Sequence, residues 1–309
     1  MPRTLTNNLG LPEALYRAVS NDKYVLRGDI SVTGLIDSPR VRLLKKTFMY
    51  EEDVSDMIWS LFGTAFHTVM ERGAESHTRS ITEIAMSVNI GGWTVTGTSD
   101  LLEVDVETGE GTIDILDDWK VTSIWKVLNG LKSDDSWVKQ VNVYRAMLQS
   151  PNVKKIIEGQ ETYRTFNIKK ANIIAIIKDW SRGKAKYDPK YPQTPVKVIP
   201  IPLYNAESMF RYMEKRVELH KENERKFYSG VDNTPNPDAL DICTESERWQ
   251  TPTVIKYIPK GKARSKRNFE IKTKEDEQQA IEIYKNMAVK DPTIEMKKVV
   301  GQPKRCPLS

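Results

Sequence analysis

The chain has 309 residues, of which 39% are hydrophobic and 29% are charged, a balance typical of a folded globular protein rather than a disordered one. Its 47 Lys and Arg residues against 42 Asp and Glu residues give a net charge of +5, which permits a polyanionic partner without requiring one. No apolar run approaches the roughly 20 residues of a membrane-spanning helix, and the first ten residues lack the apolar core of a secretory signal. We therefore expect no membrane association.

Cysteine usage points to a reducing compartment. Only Cys243 and Cys306 are present, and they lie far apart in the chain. Two cysteines do not form a disulfide framework and exclude a zinc site made of four cysteines of one chain. We expect a cytoplasmic protein.

The first half of the chain predicts a helix, three strands, a second helix and a fourth strand. In residues 51–75, apolar residues recur at spacings of three and four and predict one buried helical stripe, made of Val54, Ile58, Leu61, Ala65 and Val69. The period then changes to two, which is typical of strands separated by glycine turns. The predicted strands cover residues 81–90, 93–104, 112–121 and 170–180, and the second helix covers residues 137–149.

The second half predicts a loop, an edge strand, a charged helix and a small appendage. The loop is assigned to residues 182–195, the proline-containing edge strand to 196–203 and the helix to 206–228. Residues 251–301 have the pattern of a strand, a basic turn, a strand, a helix and a strand.

Together these elements predict an α/β (α+β) fold with a mixed central sheet flanked by helices and a small C-terminal ββαβ-like subdomain. We expect a main domain over residues 1–230 with its core motifs in 53–180. A linker over 231–250 and a basic subdomain over 251–309 complete the prediction.

The third strand carries the first candidate chemistry. Alternate residues of a strand point to the same side, so Asp118 and Lys120 share a face. A carboxylate is a hard oxygen ligand for Mg²⁺, and a neighbouring ammonium can hold a water molecule or offset developing negative charge. The carbonyl of Trp119 can supply a further oxygen. Taken alone, the same pattern is a strand-end salt bridge.

Asp100 ends the polar segment of the preceding strand, directly before Leu101 and Leu102. If the two strands are neighbours, Asp100 approaches Asp118, and a bound cation relieves the repulsion between the two carboxylates. Without that pairing, Asp100 is a solvated turn residue.

Two helices offer further candidates. Gly63, His67 and Glu71 are spaced by four residues and share one face of the first helix, where Gly63 would leave room for close approach to the sheet. His67 can ligate a metal through one ring nitrogen, although a lone helical histidine is more often structural. Gln140 and Tyr144 share a face of the second helix.

In this order, the segments Gly63 to His67, Gly97 to Asp100, Asp118 to Lys120 and Gln140 to Tyr144 resemble the RecB-like branch of the PD-(D/E)XK nuclease superfamily, and phage-encoded exonucleases in particular. The resemblance covers residues 53–149 and implies a restriction-endonuclease-like core.

The resemblance also implies roles for the candidate residues. His67, Asp100, Asp118 and the Trp119 carbonyl would hold Mg²⁺ or Mn²⁺, and Lys120 would position the attacking water. Gln140 and Tyr144 would support the site or contact DNA. The implied activity is hydrolysis of DNA from its ends during phage-type replication, recombination or repair in a host cytoplasm. An annealing or recombination protein is an implied partner.

Several relatives of this branch bind an iron–sulfur cluster through four cysteines. Here only Cys243 and Cys306 are available, and Ser38 stands where some relatives have a cysteine before Pro-Arg. Because four thiolates are needed to hold such a cluster, we expect none in this chain.

The basic turn near residue 260 contains Lys262, Arg264 and Lys266. We expect these residues to contact DNA phosphates near the catalytic groove, and their neutralisation to flatten the salt dependence of DNA binding. The alternative is a solvated turn.

Rival functions remain open. A structure-specific endonuclease would use the same residues, and a DNA-binding module could keep the fold after losing activity. An RNA-directed enzyme is also compatible with such a fold. A structural phage component is disfavoured because the chain has no repeats and no coiled-coil heptads.

Overall fold

The structure is a computed structural model that describes residues 3–21, 27–74, 77–109, 111–131, 135–245, 247–248, 250–262, 264–271 and 273–302. The chain divides into two compact units, one up to Ala239 and the other from Leu240. This division falls inside the segment 231–250.

The first unit contains both strands and helices. Its strands are β1 (Arg3–Thr6), β2 (Ile30–Ser31), β3 (Tyr50–Asp53), β4 (Ser80–Ile90), β5 (Trp93–Thr108), β6 (Gly111–Thr122), β7 (Lys154–Ile157), β8 (Gln160–Thr162), β9 (Ile168–Ile177) and β10 (Val196–Pro200). Its helices are α1 (Glu13–Asn21), α2 (Val32–Ile36), α3 (Pro39–Thr47), α4 (Val54–Ala74), α5 (Ile124–Leu128), α6 (Ser136–Gln149), α7 (Arg182–Tyr187) and α8 (Ala206–Phe227). Two short 3₁₀ turns follow at Val231–Asn233 and Pro237–Ala239.

A large mixed sheet forms the centre of this unit. Its strand order is β10-β9-β6-β5-β4-β7-β8, with β2 added beside β5, and β1 and β3 form a separate parallel pair. Within the long path β6 and β9 are parallel, while the other neighbours are antiparallel. Helices α4, α6 and α8 pack against the sheet. The predicted mixed sheet flanked by helices is confirmed.

The β4–β5 hairpin fixes the register of the sheet. Its turn is Gly91-Gly92, whose φ values of +55° and +80° belong to the left-handed region that glycine adopts without strain. Two consecutive residues of this conformation match the twist of the flanking strands, and Ile90 pairs with Trp93 directly across the turn.

Strand β5 changes its neighbour part-way along its length. Its later residues pair with β6 as far as the Leu101–Asp117 pair, whereas Val95 and Thr96 pair with β2. Beyond Asp117, strand β6 continues in regular parallel pairing with β9 up to Thr122. The two central strands therefore separate beyond the Leu101–Asp117 pair, which leaves an opening in the sheet.

Helix α6 covers the core beside this opening. It begins after Asp135, whose side chain accepts a hydrogen bond from the backbone N–H of Trp137, and it ends at Gln149, two residues before Pro151. Its inner face is fully buried through Val138, Val141 and Met147, among others. These side chains join a continuous apolar core with the sheet residues.

Helix α4 differs from its prediction. The predicted stripe is buried at Val54 but not at its other end, because Ala65 is exposed and Val69 is 53% exposed. No neighbouring element approaches Gly63 closely either, because a Cβ atom added there would meet nothing within 4 Å. The helix therefore rests on the sheet along a narrow line, and much of its surface is open.

Several elements were not predicted from the sequence, among them helix α7 and the hairpin of β7 and β8. The predicted loop at residues 182–195 contains α7, which begins where the Ser181 side chain accepts a hydrogen bond from Lys184 N–H. The small hairpin of β7 and β8 turns at Glu158 and Gly159, whose φ values are +50° and +78°. Both elements are too short for their periodicity to be visible in the sequence.

The second unit has the predicted ββαβ order. It consists of β11 (Thr253–Pro259), β12 (Arg267–Ile271), α9 (Lys274–Lys290) and β13 (Ile294–Val299), with the strand order β12-β11-β13. Helix α9 packs on the sheet through Ala280 against a small core that includes Ile255, Tyr257 and Ile294.

The basic turn and one cysteine belong to this second unit. Lys262, Arg264 and Lys266 are exposed in the β11–β12 connection, and Lys266 Nζ lies 3.9 Å from a carboxylate oxygen of Asp291. Cys243 is buried. The prediction for Cys306 falls outside the described residues.

None of the helices in the described ranges is long and apolar enough to cross a membrane.

His220 of α8 is a buried structural histidine with both ring nitrogens engaged. Its Nε2 lies 3.1 Å from the carbonyl oxygen of Leu35, and Arg42 Nε donates to its Nδ1 at 3.1 Å. Because Nδ1 accepts, the proton of the neutral ring is on Nε2. Burial, together with the Arg42 charge, lowers the pKa of His220 to about 3.

This arrangement predicts a loss of stability in mild acid. As the pH falls below about 6.5, the unfolded chain protonates His220 while the folded protein does not until about pH 3. The free energy of unfolding should therefore lose about 1.4 kcal/mol per pH unit below pH 6 from this residue. His220→Gln should reduce that slope in urea unfolding measured between pH 7 and pH 5. The exposed His77, replaced in the same way, is the control, and equal slopes in the two variants would contradict the prediction.

Candidate active site

The opening between β5 and β6 brings two carboxylates together. Asp100 lies immediately before the Leu101–Asp117 pair on β5, and Asp118 lies immediately after it on β6. Since cross-strand neighbours share a face and side chains alternate along a strand, both carboxylates point to the same side of the sheet, as does Lys120. The conditional prediction that Asp100 approaches Asp118 is met, because their strands are neighbours.

Asp118 and Lys120 form a buried ion pair. Lys120 Nζ lies 2.5 Å from Asp118 Oδ2, and the two side chains are 20% and 2% exposed. Burial lowers the pKa of Lys120, but the Asp118 and Asp100 carboxylates outweigh it and raise that pKa overall. Lys120 therefore remains a cation. Among the described residues, Asp118 Oδ1 has no hydrogen-bond partner although it is fully buried.

Asp100 is held by the backbone of the neighbouring strand. The N–H of Trp119 donates to Asp100 Oδ2 at 2.7 Å, and the side chain is 11% exposed. Burial, followed by the repulsion from Asp118, raises the pKa of Asp100 to about 8. The carboxylate is thus forced into a place where its charge is poorly compensated by the protein alone.

His67 reaches the same place from α4. Its Nδ1 lies 3.5 Å from Asp100 Oδ1, and the ring is 32% exposed. Burial and the charge of Lys120 lower the pKa of His67, while Asp118 and a hydrogen bond to the backbone of Trp119 oppose this shift. The neutral ring that results is the form that can bind a metal ion.

Glu83 of β4 completes the cluster; its sequence context is compatible with an outer ligand but more typical of a surface or capping glutamate. It stands opposite Asp100 in the β4–β5 register, between the pairs Thr82–Leu101 and Ile84–Ser99, but does not itself form a ladder pair. Its φ of +48° is a strained value for a residue with a side chain. Desolvation and the nearby Glu71 carboxylate raise the pKa of Glu83.

The donor atoms are suited to a divalent cation. One ligand atom each from His67, Glu83 and Asp100 lies within 4.8 Å of the other two. Three carboxylates, those of Glu83, Asp100 and Asp118, face a single ammonium, so an excess of two negative charges remains when all are ionised. Carboxylate oxygens with one imidazole nitrogen fit Mg²⁺ or, more readily, Mn²⁺. The unpartnered Oδ1 of Asp118 is a further available ligand.

Gln140 and Tyr144 of α6 lie behind this cluster. Gln140 Nε2 donates to the hydroxyl oxygen of Tyr144 at 3.0 Å, and Tyr144 is 5% exposed. Burial raises the pKa of Tyr144, whose hydroxyl also bonds to Thr33. A buried ring in this position can brace the site but does not present a surface to DNA.

The Tyr144 ring occupies the space above Gly97. A Cβ atom at Gly97 would lie 2.6 Å from Tyr144 Cε1 and 3.1 Å from Val32 Cγ2. Glycine is therefore required here by the close approach of α6 to β5. Within the predicted segment Gly97 to Asp100, residue 97 has no room for a side chain.

The structure brings together most but not all of the predicted site. His67, Asp100, Asp118, Lys120 and the Trp119 backbone meet at the opening in the sheet. Within the predicted metal set Asp118 is paired to Lys120, and Glu83 joins His67 and Asp100 as an additional carboxylate. Lys262, Arg264 and Lys266 belong to the second unit.

Comparisons with known proteins add little to this geometry. No protein-family model and no curated protein matches the chain. Among solved structures, the crystal structure of a protein designated SSO0001 matches 66% of this chain and 84% of its own chain, with 16% sequence identity and a TM-score of 0.41. Similarity at this level carries no information about activity.

Alanine substitutions at Gly97 and Gly63 should have opposite effects on stability, because only Gly97 is closely approached by another element. Gly97→Ala should lower the free energy of unfolding by about 1–3 kcal/mol, because its methyl group overlaps the Tyr144 ring. Gly63→Ala, in the open middle of α4, should instead raise it by about 0.5–1 kcal/mol. Urea unfolding of both variants measures this, and equal effects would show that the Tyr144 ring does not constrain Gly97.

The cluster also predicts selective cation binding. Titration calorimetry with Mn²⁺ should show one site in the wild-type protein, weakened at least about 10-fold in Glu83→Gln and in His67→Ala. His77→Ala is the matched control because that histidine lies at the surface, away from the cluster. Unchanged Mn²⁺ affinity in Glu83→Gln would remove Glu83 from the ligand set.

Proposed function

We propose that this protein is a metal-dependent deoxyribonuclease that hydrolyses phosphodiester bonds from DNA ends. The observation that carries the proposal is the buried Asp100–Asp118 pair beside Lys120, with an uncompensated carboxylate oxygen on Asp118. Burying carboxylates side by side is costly unless a cation is held between them. A site that serves only stability has no need of this arrangement.

The residues divide the chemical work between them. Asp100, Asp118, Glu83 and His67 would hold Mg²⁺ or Mn²⁺, which supplies Lewis-acid chemistry at a phosphoryl oxygen. Lys120 stays charged beside Asp118, so it acts as an electrostatic group rather than as a general base. It positions a water molecule for attack and offsets the negative charge that develops on the phosphate.

The remaining parts of the proposal follow from the resemblance of the sequence motifs to RecB-like nucleases. These parts are action from DNA ends, a role in phage-type recombination or repair, an annealing or recombination protein as partner, and a cytoplasmic location. The net charge of +5 is compatible with DNA as the substrate.

Cleavage assays with neighbouring aspartate variants test the proposal. Labelled linear duplex, labelled single strand and closed circular DNA are incubated with Mg²⁺, Mn²⁺ or a chelator. Lys120→Ala and Asp118→Asn should each reduce cleavage of linear DNA by about 10²-fold or more, because the first removes the positive charge beside the reacting phosphate and the second removes a charged metal ligand.

Asp117→Asn is the control for Asp118→Asn. Asp117 lies on the opposite face of β6 and accepts a hydrogen bond from Asn172 Nδ2 at 2.8 Å, an interaction that an asparagine oxygen can preserve. This variant should retain activity. Cleavage of closed circular DNA, which has no ends, would show that the activity is endonucleolytic instead of exonucleolytic. If none of the DNA substrates is cleaved with either metal, the proposed function is wrong.

A further inference from the structure

Helix α4 carries an exposed aromatic pair. Trp59 is 50% exposed and Phe62 is 46% exposed. They are three residues apart and therefore neighbours on the helix surface, and their ring centroids lie 6.1 Å apart in an edge-to-face arrangement. Single exposed apolar residues are ordinary, but two large rings in contact on one open face mark a binding surface.

This pair is continuous with the candidate active site. Phe66 follows Phe62 by one helical turn, and its ring lies 6.0 Å from that of Trp119, between Asp118 and Lys120 in β6. The next residue of the helix is His67. Eight residues separate Trp59 from His67, which is about 12 Å along the helix axis. A chain leaving the site along α4 would meet these rings first.

One lysine lies beside the aromatic pair, and two further cations follow it closely in the chain. Lys178 Nζ is 4.0 Å from the centroid of the Trp59 ring, and the Lys178 backbone N–H donates to the carbonyl of Thr122 at 2.9 Å. Lys178 therefore stands where the parallel strands β6 and β9 end. Helix α7 begins four residues later with the exposed Arg182 and Lys184. Within the described ranges, none of these three cations has a carboxylate partner.

Exposed rings and unpaired cations together select one class of ligand. Unpaired nucleobases offer flat faces that stack on aromatic side chains, and their phosphates pair with lysine and arginine. In a duplex the base faces are already stacked on each other. A second copy of this protein would have to bury Lys178 and its neighbours at an electrostatic cost.

We infer that the surface formed by Trp59, Phe62, Lys178, Arg182 and Lys184, the basic–aromatic surface, binds the unpaired strand of a DNA end beside the candidate active site. This inference rests on the proposed function, and it specifies the substrate as an end that is single-stranded or strand-separated.

Binding without cleavage tests the aromatic part. A fluorescently labelled oligothymidylate is titrated with the full chain in the presence of chelator, and anisotropy is recorded. Trp59→Ala and Phe62→Ala should each weaken binding by about 10-fold, the effect of removing one stacked base. Tyr163→Ala is the matched control, because Tyr163 is 53% exposed and follows β8, at the opposite edge of the sheet from Lys178.

The salt dependence of DNA binding tests the role of the three cations in the basic–aromatic surface. Replacing Lys178, Arg182 and Lys184 together by alanine should lower the slope of log affinity against log salt by about 0.7 for each phosphate that the protein no longer neutralises. Lys169→Ala with Lys170→Ala is the control, since these exposed lysines lie near the other end of β9. Circular dichroism confirms that each variant is folded, and light scattering records its oligomeric state.

The outcomes separate this inference from the proposed function. Weaker binding in the surface variants supports the inference even if no cleavage is found. Wild-type affinity in all of them overturns it, including when the wild-type protein degrades DNA. A preference for blunt duplex over oligothymidylate, or a change of oligomeric state in Trp59→Ala, also overturns it, and the latter would assign the rings to self-association.

Discussion

The separation of β5 from β6 is the constraint on which the candidate site depends. Up to the Leu101–Asp117 pair the two strands satisfy each other's backbone groups; beyond it β5 pairs with β2, while β6 keeps only its pairing with β9 on the other edge. Asp100 and Asp118 flank this point, so their carboxylates are held at the edge of an opening instead of inside a continuous ladder. The Trp119 N–H and the Lys120 ammonium compensate part of their charge. The negative charge that remains is the basis for the proposed metal site, since a bound cation would remove the repulsion between the buried carboxylates.

Two helices approach this opening in different ways. Helix α6 packs tightly, to the extent that the Tyr144 ring fills the space that a side chain at residue 97 would need. Helix α4 contributes His67 and Phe66 to the site, while its outer surface remains exposed at Trp59, Phe62 and Val69. One side of the site is therefore fixed by close packing, and the other is open. This asymmetry is compatible with the proposed substrate, because a polymeric chain has to enter and leave the site.

The backbone conformation of Glu83 lowers the stability of the sheet at this position. A left-handed conformation at a residue with a side chain costs on the order of 1–3 kcal/mol, and the regular pairs on both sides of Glu83 hold it in place. The result is a third carboxylate beside His67 and Asp100. Its placement adds repulsion in the metal-free protein. Strain and repulsion at the same residue are understandable if both are offset on binding a cation.

The features of this protein that follow from local periodicity were predictable from its sequence. Alternation in β6 places Asp118 and Lys120 on one face, the Gly91-Gly92 turn defines the β4–β5 hairpin, and the order of strands and helices predicts a mixed sheet. Contacts between residues of different strands and helices depend on the tertiary structure and could not be read from the sequence. The approach of Asp100 to Asp118 required β5 and β6 to be neighbours, and Glu83 joined the cluster through a backbone angle that composition does not encode. The open face of α4 was also invisible, because an apolar stripe predicts which side of a helix is able to be buried but not whether another element covers it.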